Sequence, residues 1–536
     1  MFRISLHFSL VLLGLSIATL GTAAPASAQT PSAGQDQPSS IWIESFGEGL
    51  PRCQAHRVTP RALLLPARCL VVSSRPEYLL RPSSSARLRL TVRQGSQLIL
   101  GSLSLLSFRL HPLADLARAR EAGILRRDVR SGSGADLALL FVEGEVLENV
   151  PILPISLQAP DLTAVSEMQS RDRDRAAERI DLWTRDVDQR RPGTFEARAQ
   201  TALDWPDDSE AGPVWGAALI HKNRLIGLFT GQTEAWRKGT VESRNGVLLA
   251  GAAPWLLELL QPELWQWYEQ TQAIPSKNSP ATFPGIRLEP IVFRGHDLKE
   301  DDPLRIKLVA IDLDGRGVCS GSVISPLHVL TAAHCLKGPD PKGLVIWLQN
   351  RSDQRMGGYR VRRVIVHPRY PGYSVDSKVD LNHSQDRGAA ENDLALLELS
   401  RPVDPEVAPL RFHLSGLDRV REWQIAGVGR QDIPDDSPRG VLQVAAVSPR
   451  LSGRPGRLIE IPELRSGAPG ALPGDSGGPL LVRFGGSPEW FMKGVVIHSQ
   501  INESRSGVSL SRALTLEPHS AWLFTILQER IFLSRP

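Results

Sequence analysis

The sequence predicts a mainly β protein in which one fold occurs twice, and three observations carry that expectation. Short segments such as Leu88-Arg-Leu-Thr-Val92, Val361-Arg-Arg-Val-Ile-Val366 and Gly494-Val-Val-Ile497 are bounded by Gly, Pro, Ser and Asp, the pattern of β-strands separated by turns. A set of landmarks recurs in the same order in the two halves of the chain. Each half closes on a segment with apolar residues at three- and four-residue spacing, Pro254 to Gln270 and Pro518 to Ile531, which predicts an amphipathic helix. Trp255, Trp265 and Trp522 within those helices read as core anchors ahead of ligand contacts.

The landmarks define the repeat. Cys53 to Cys69 laid over Cys319 to Cys335 superposes both cysteines, Pro60 on Pro326 and Ala67 on Ala333. Leu110-His111-Pro112 matches Val366-His367-Pro368, and Asp136-Leu-Ala-Leu-Leu140 returns as Asp393-Leu-Ala-Leu-Leu397. Gly212-Pro213 matches Gly478-Pro479, and Glu242 to Val247 matches Glu503 to Val508. A repeat this large implies two copies of one fold, each holding its own core. Residues 29–40 and 271–284 are rich in Pro and small polar residues, which predicts linkers before and between copies at 41–270 and 285–536.

Composition sets the outer bounds. A chain of 536 residues holds about three domains, or two large β ones. With 41% hydrophobic and 22% charged residues it has material for packed cores and does not read as disordered. Basic residues number 62 against 58 acidic, an excess of +4 that is too small for the electrostatic footprint of a nucleic-acid partner.

Residues 1–28 read as an address. Arg3, an apolar stretch from Phe8 to Leu20, and small residues at Ala26, Ser27 and Ala28 form the pattern of a secretory signal peptide cleaved after Ala28. An uncleaved anchor is the alternative, and the Ala-Ser-Ala ending favours cleavage. The mature chain is then expected in the periplasm or the outside medium. No later segment offers about 18 consecutive apolar residues, so no membrane contact is expected after cleavage. In an oxidising compartment, Cys53 with Cys69 and Cys319 with Cys335, each pair 16 positions apart, are expected as disulfides. Neither set has the close ligand spacing of a zinc site, so no metal is expected.

The second copy carries Thr331-Ala-Ala-His334-Cys335, Asp393-Leu-Ala-Leu-Leu397 and Gly474-Asp475-Ser476-Gly477-Gly478-Pro479, in the order His, Asp, Ser. A serine hydroxyl is a poor nucleophile at neutral pH and needs a neighbouring base; an imidazole that titrates near pH 6.5 suits that task, and a buried carboxylate fixes its tautomer. Here the sequence resembles the trypsin/chymotrypsin family of serine endopeptidases, well from Ile291 onward and in degraded form from Ile41 to Gln270. The resemblance implies paired six-stranded Greek-key β-barrels in each copy. It implies His334 as general base, Asp393 as orienter and Ser476 as nucleophile, with the amides of Gly474 and Ser476 as oxyanion hole. It gives Asp475 the role of supporting that hole by pairing with a new amino terminus, yet Pro290-Ile291-Val292-Phe293 lacks the usual preceding basic residue. It places Gly470, Ser499 and Gly507 around the primary specificity pocket. Gly470 stands where an Asp would select Arg or Lys, so an uncharged, apolar side chain is expected there. Leu472 replaces a family cysteine, and Ile497-His498 replaces the family's Ser-Trp pair.

In the first copy the repeat sets Arg68 at the position of His334, Asp136 at that of Asp393 and Glu210 at that of Ser476. A guanidinium stays protonated and cannot act as a base, and a carboxylate is not a serine hydroxyl, so this copy is expected to be inactive. An Arg68–Glu210 ion pair across the dead site and two solvated surface charges are both open. The copy is left as a scaffold, an inhibitor-like cover, or a platform for a substrate or regulatory protein. The leading reading is an exported serine endopeptidase acting on protein or peptide without a cofactor. The rival is a non-catalytic binding or adaptor protein with two protease-like domains.

Overall fold

The computed structural model describes residues 40–43, 53–70, 87–94, 97–111, 136–143, 147, 150–158, 169–171, 178–183, 194–199, 216, 218–222, 224–232, 243–271, 289–290, 296–298, 302–313, 318–336, 343–349, 355–372, 390–414, 420–428, 440–450, 457–462, 469–472, 474–485, 487–502 and 507–533. All of these belong to one compact unit, Pro38–Pro536. The expected signal peptide, Ile291 and Glu210 lie outside the described residues.

The first half opens with β1 (Ser40–Ile43), β2 (Cys53–Arg57), β3 (Ala62–Leu65), β4 (Arg87–Gln94), β5 (Gln97–Leu110) and β6 (Ala138–Glu143), which close a barrel in the order β1-β2-β3-β6-β5-β4. All four residues of β3 are buried, whereas in β5 Leu103 and Leu105 are buried and Ser104 and Leu106 exposed, the two-residue period of a strand with one wet face. A second closed barrel follows from β7 (Gln169–Arg171), β8 (Glu178–Trp183), β9 (Thr194–Ala199), β10 (Ala218–His221), β11 (Arg224–Gln232) and β12 (Ser243–Leu248). Helix α1 (Ala253–Thr271) ends the half.

The second half begins with two short strands, β13 (Glu289–Pro290) and β14 (His296–Asp297). Strands β15 (Leu308–Leu313), β16 (Val318–Ser325), β17 (His328–Thr331), β18 (Leu344–Gln349), β19 (Arg355–Val366) and β20 (Ala395–Leu399) close a barrel in the order β15-β16-β17-β20-β19-β18, the strand order of the first barrel. Then come β21 (Val420–Gly427), β22 (Gly440–Val441), β23 (Gln443–Ala446), β24 (Leu458–Pro462), β25 (Pro479–Phe484), β26 (Trp490–Asn502) and β27 (Gly507–Thr515), before helix α2 (Ser520–Leu533). β22 pairs with β13, and the rest form a seven-stranded sheet, β14-β23-β21-β25-β26-β27-β24. This sheet departs from the expected six-stranded barrel. β14 occupies the free edge of β23, and between the sheet's two ends there is an isolated bridge from Arg450 to Glu460 instead of a ladder.

The registers correct the repeat as read from sequence. Leu228 pairs with Val247 as Val495 pairs with Leu514, and Trp255 in α1 sits seven residues beyond Leu248 as Trp522 sits seven beyond Thr515. Val247 therefore corresponds to Leu514, not to Val508. Ala218 pairs with Leu228 as Pro479 pairs with Val495, and a bulge follows one residue later in both strands. Gly216 is thereby the counterpart of Gly477: both have left-handed φ, +92° and +85°, and a Cβ on either would strike the carbonyl of Gln54 or Ser320. In the sequence Trp215 precedes Gly216 as Ser476 precedes Gly477, and the expected counterpart Glu210 lies outside the described residues. Gly212-Pro213, expected to match Gly478-Pro479, lies outside the described residues.

The cores also differ from expectation. The first and third barrels each enclose a core of their own, around Leu63 and Leu103 and around Val329 and Leu397. The largest cluster, however, runs through both halves, from Val58 and Leu225 through Leu256 and Leu260 of α1 to Phe412, Leu523 and Leu527. The apolar stripes of α1 and α2 are satisfied by each other and by the opposite half.

Candidate active site

Antiparallel pairing of β17 with β20 sets Thr331 opposite Ala395. The chain leaves β17 through the 3-10 turn Ala333–Cys335, so His334 meets Asp393 at the entry to β20. Asp393 is 0% exposed, and its carboxylate accepts two hydrogen bonds from His334: the backbone N–H at 2.9 Å on Oδ1 and Nδ1–H at 2.6 Å on Oδ2. Burial lowers the His334 pKa, and the charge and hydrogen bond of Asp393 raise it by more, leaving it above the ordinary 6.5. With Nδ1–H directed at the carboxylate, Nε2 is the atom that carries the lone pair of the neutral ring.

Ser476 lies on the turn that leads into β25, and that turn is fastened to β16. The backbone N–H of Ser320 donates to the carbonyl of Ser476 at 2.8 Å, and the Ser320 hydroxyl donates to the carbonyl of Gly474 at 2.8 Å while accepting from Val428 N–H at 2.9 Å. Thr331 donates to the Ser320 carbonyl at 2.8 Å. Gly474 and Gly477 have φ of +105° and +85°, where a Cβ is strained, so two positions of the turn demand glycine. The amides of Asp475, Gly477 and Gly478 are bound to Leu472, Val496 and Asp475 carbonyls at 2.9, 2.8 and 2.9 Å. Asp475 is 1% exposed; its Oδ2 accepts from Leu472 N–H at 2.9 Å and its carboxylate lies against Gly427. Cys335 Sγ sits 4.0 Å from His334 Nε2 and 3.6 Å from the Ser476 carbonyl oxygen, so one disulfide sulfur touches both residues.

Gly470 is buried, and the amide of the next residue, Ala471, donates to the hydroxyl of Ser511 at 3.0 Å. Ser499 on β26 lies opposite Ser511 on β27, whereas Gly507 lies opposite Asn502. A bulge between Gln500 and Ile501 shifts the register by one residue, and Ser511 is the cross-strand partner of Ser499. His498 is opposite Arg512, half-buried, and its pKa is pushed down to about 4 by burial first and then by the positive charges of Arg512 and His334. His498 therefore stands within electrostatic reach of His334 as a neutral imidazole. Ser320 and Ser511 are contributions that sequence reading missed, because both act across long chain separations on residues they do not resemble in any motif.

Both expected disulfides form, Cys53–Cys69 and Cys319–Cys335, with Cα separations of 5.8 and 6.1 Å. In the first half Arg68 occupies the 3-10 turn Ala67–Leu70 at the place of His334, and Asp136 is buried at the place of Asp393. The equivalence is fixed by the His111 and His367 amides, which donate to Leu137 and Leu394, each at 2.9 Å. In the sequence the residue before Gly216 is Trp215.

Comparison with known proteins matches residues 305–510 to the Trypsin family model. The chain is 25% identical to mouse vitamin K-dependent protein C over 44% of its own length and 51% of that protein. It is 27% identical to the rat vitamin K-dependent protein C, covering 39% and 46%, and 28% identical to the CLIP domain-containing serine protease B4 of Anopheles gambiae, covering 33% and 53%. The chain spans about half the length of these relatives. The match falls on the half that holds His334, Asp393 and Ser476, and residues 305–510, which include the six-stranded barrel β15–β20, are similar to the trypsin family of serine proteases.

Proposed function

We propose that the chain is an exported serine endopeptidase whose second half cleaves peptide bonds through an acyl-enzyme on Ser476, with a first half that has no catalytic centre. The observation that carries this reading is the buried Asp393 carboxylate 2.6 Å from Nδ1 of His334, on a turn that shares a disulfide contact with Ser476. In this reading Nε2 of His334 takes the proton from the Ser476 hydroxyl as the oxygen attacks the scissile carbonyl, then delivers it to the leaving amine. Water repeats the sequence on the acyl-enzyme. Asp393 remains ionised, holding the tautomer and stabilising the imidazolium.

The developing oxyanion is assigned to the amides of Gly474 and Ser476. This is supported by the inward bonds of the neighbouring amides of Asp475, Gly477 and Gly478, which leave the alternate members of the turn for that task. Asp475 supports the hole from below through its bond to Leu472. Ser320 is a positioning residue that fixes the peptide between the two donors. The absence of an acidic residue at Gly470 argues for an uncharged substrate side chain. Residues 1–28 and the two disulfides support an oxidising destination, and among the described residues no helix is long and apolar enough to cross a membrane.

The test is turnover of peptide and ester panels by the purified chain and by Ser476→Ala. Cleavage of peptide bonds by the wild type and none by a variant that melts normally is expected. Full turnover by Ser476→Ala overturns the assignment, and turnover of esters alone makes the chain an esterase.

A further inference from the structure

The first half offers the second a buried polar contact that the second half returns. Gln261 of α1 is 0% exposed, and its side chain bonds to three residues of the second half. Its amide nitrogen donates to the carbonyls of Ile324 at 3.0 Å and Leu410 at 3.2 Å, and its oxygen accepts from the N–H of Phe412 at 3.0 Å. Gln528 of α2, 2% exposed, donates from its amide nitrogen to the carbonyl of Ile155 in the first half at 2.5 Å.

These contacts stand at corresponding places in the two halves, although they use different backbone groups. Gln261 and Gln528 each stand six residues after the helix tryptophan, Trp255 or Trp522. Their targets correspond too: Leu153 and Leu410 donate to Arg57 and Val323, each at 2.7 Å, and Ile155 and Phe412 make parallel bridges to Leu225 and Met492. The helix that ends each half thus binds the connector between the β-layers of the other. An interface in which patch i meets j and j meets i is isologous, the geometry of a two-fold dimer. One addition breaks the symmetry. Glu258 of α1 accepts from Leu414 N–H at 2.9 Å and from His413 Nδ1 at 3.2 Å, whereas its counterpart Thr525 bonds to Ala521 of its own helix.

We propose that the surface formed by α2, residues 410–414 and Ile324 is a docking face for a second copy of the same fold, and that the first half is that copy, bound for good. It is not a tethered cover to be released on activation. Buried polar groups hydrogen-bonded across the joint and a core shared across it make separation costly and the pairing specific. The geometry also explains retention of a half without a catalytic centre: Ile324 lies on β16, whose other end holds the Ser476 turn through Ser320.

The test uses the full chain with a site for a sequence-specific protease inserted within residues 274–284, and it reads association, so a catalytically dead protein would serve equally. After cutting, the two pieces should co-elute at the size of the intact chain, with amide exchange of residues 410–414 as slow as before the cut. Gln261→Leu with Gln528→Leu should weaken association of the cut pieces at least 100-fold. Separation of the cut wild-type pieces on dilution, or rapid exchange at 410–414 after cutting, would overturn the proposal. So would association of the cut double variant as tight as that of wild type.

Discussion

The hydroxyl of Ser320 donates to the carbonyl oxygen of Gly474 at 2.8 Å, so a side chain on the β15–β20 barrel fixes a peptide of the turn that enters the seven-stranded sheet. The joint between the two β-layers is where the candidate nucleophile sits, and Ser320 closes it from one side. Ser320→Ala removes two hydrogen bonds, the one its hydroxyl donates to Gly474 and the one it accepts from the Val428 N–H, each worth about 1 kcal/mol. The expected result is a roughly tenfold lower kcat with KM little changed, measured per active site titrated. An unchanged kcat would make Ser320 a purely structural residue.

Activity should depend on the charge of His334. Only the neutral imidazole is a base, and Asp393 holds its pKa above 6.5, so kcat/KM should rise with pH through a midpoint above 6.5. Asp393→Asn removes the groups that raise it and leaves burial, so the midpoint should fall, while the rate drops by about four orders of magnitude because the tautomer is no longer held. A midpoint unmoved by Asp393→Asn would contradict the pairing.

Stability should fall in acid for a separate reason. His367 and His519 face each other with Nε2 and Nδ1 3.2 Å apart, and burial holds their pKa values down at about 4 and about 3. His111, edge-on to Trp255, is held at about 4 by the same cause. In the unfolded chain these groups bind protons near pH 6.5, while in the folded chain they remain neutral. The unfolded state therefore binds more protons between about pH 6.5 and 4, and stability is lost as pH falls through that window. Urea unfolding from pH 7 to 4 should show the loss, and His519→Gln should reduce it. A stability independent of pH over that range would refute the linkage.

The two disulfides should differ in consequence. Each closes a loop of 16 positions, for which removal costs about 3 kcal/mol. Replacing Cys319 and Cys335 by Ala should also slow catalysis, because Cys335 Sγ touches His334 and Ser476. Replacing Cys53 and Cys69 should lower stability and leave kcat per titrated site unchanged. Equal kinetic effects from both pairs would refute the distinction.

Much of this was legible in the residues. The Asp393 and His334 segments, both disulfides and the two closing helices are local patterns, and local patterns survive folding. What failed was register. Gly212-Pro213 and Glu242 to Val247 look like Gly478-Pro479 and Glu503 to Val508, yet pairing of β10, β11 and β12 makes Gly216 the counterpart of Gly477 and Val247 that of Leu514. Loops of unequal length move such matches off the strands that carry them. Ser320, Gln261 and Gln528 belong to no motif, because their meaning lies in partners 63 to 373 residues away, and only the shared core brings these together.

The most direct test is labelling of the purified mature chain with a fluorophosphonate probe beside Ser476→Ala, the modified peptide being located by mass spectrometry. A formed His334–Asp393–Ser476 site predicts modification at Ser476 in the intact chain and none in the variant. Absence of labelling in a folded wild-type chain, both intact and after cleavage near Ile291, would contradict the assignment and leave two protease-like halves without a reaction.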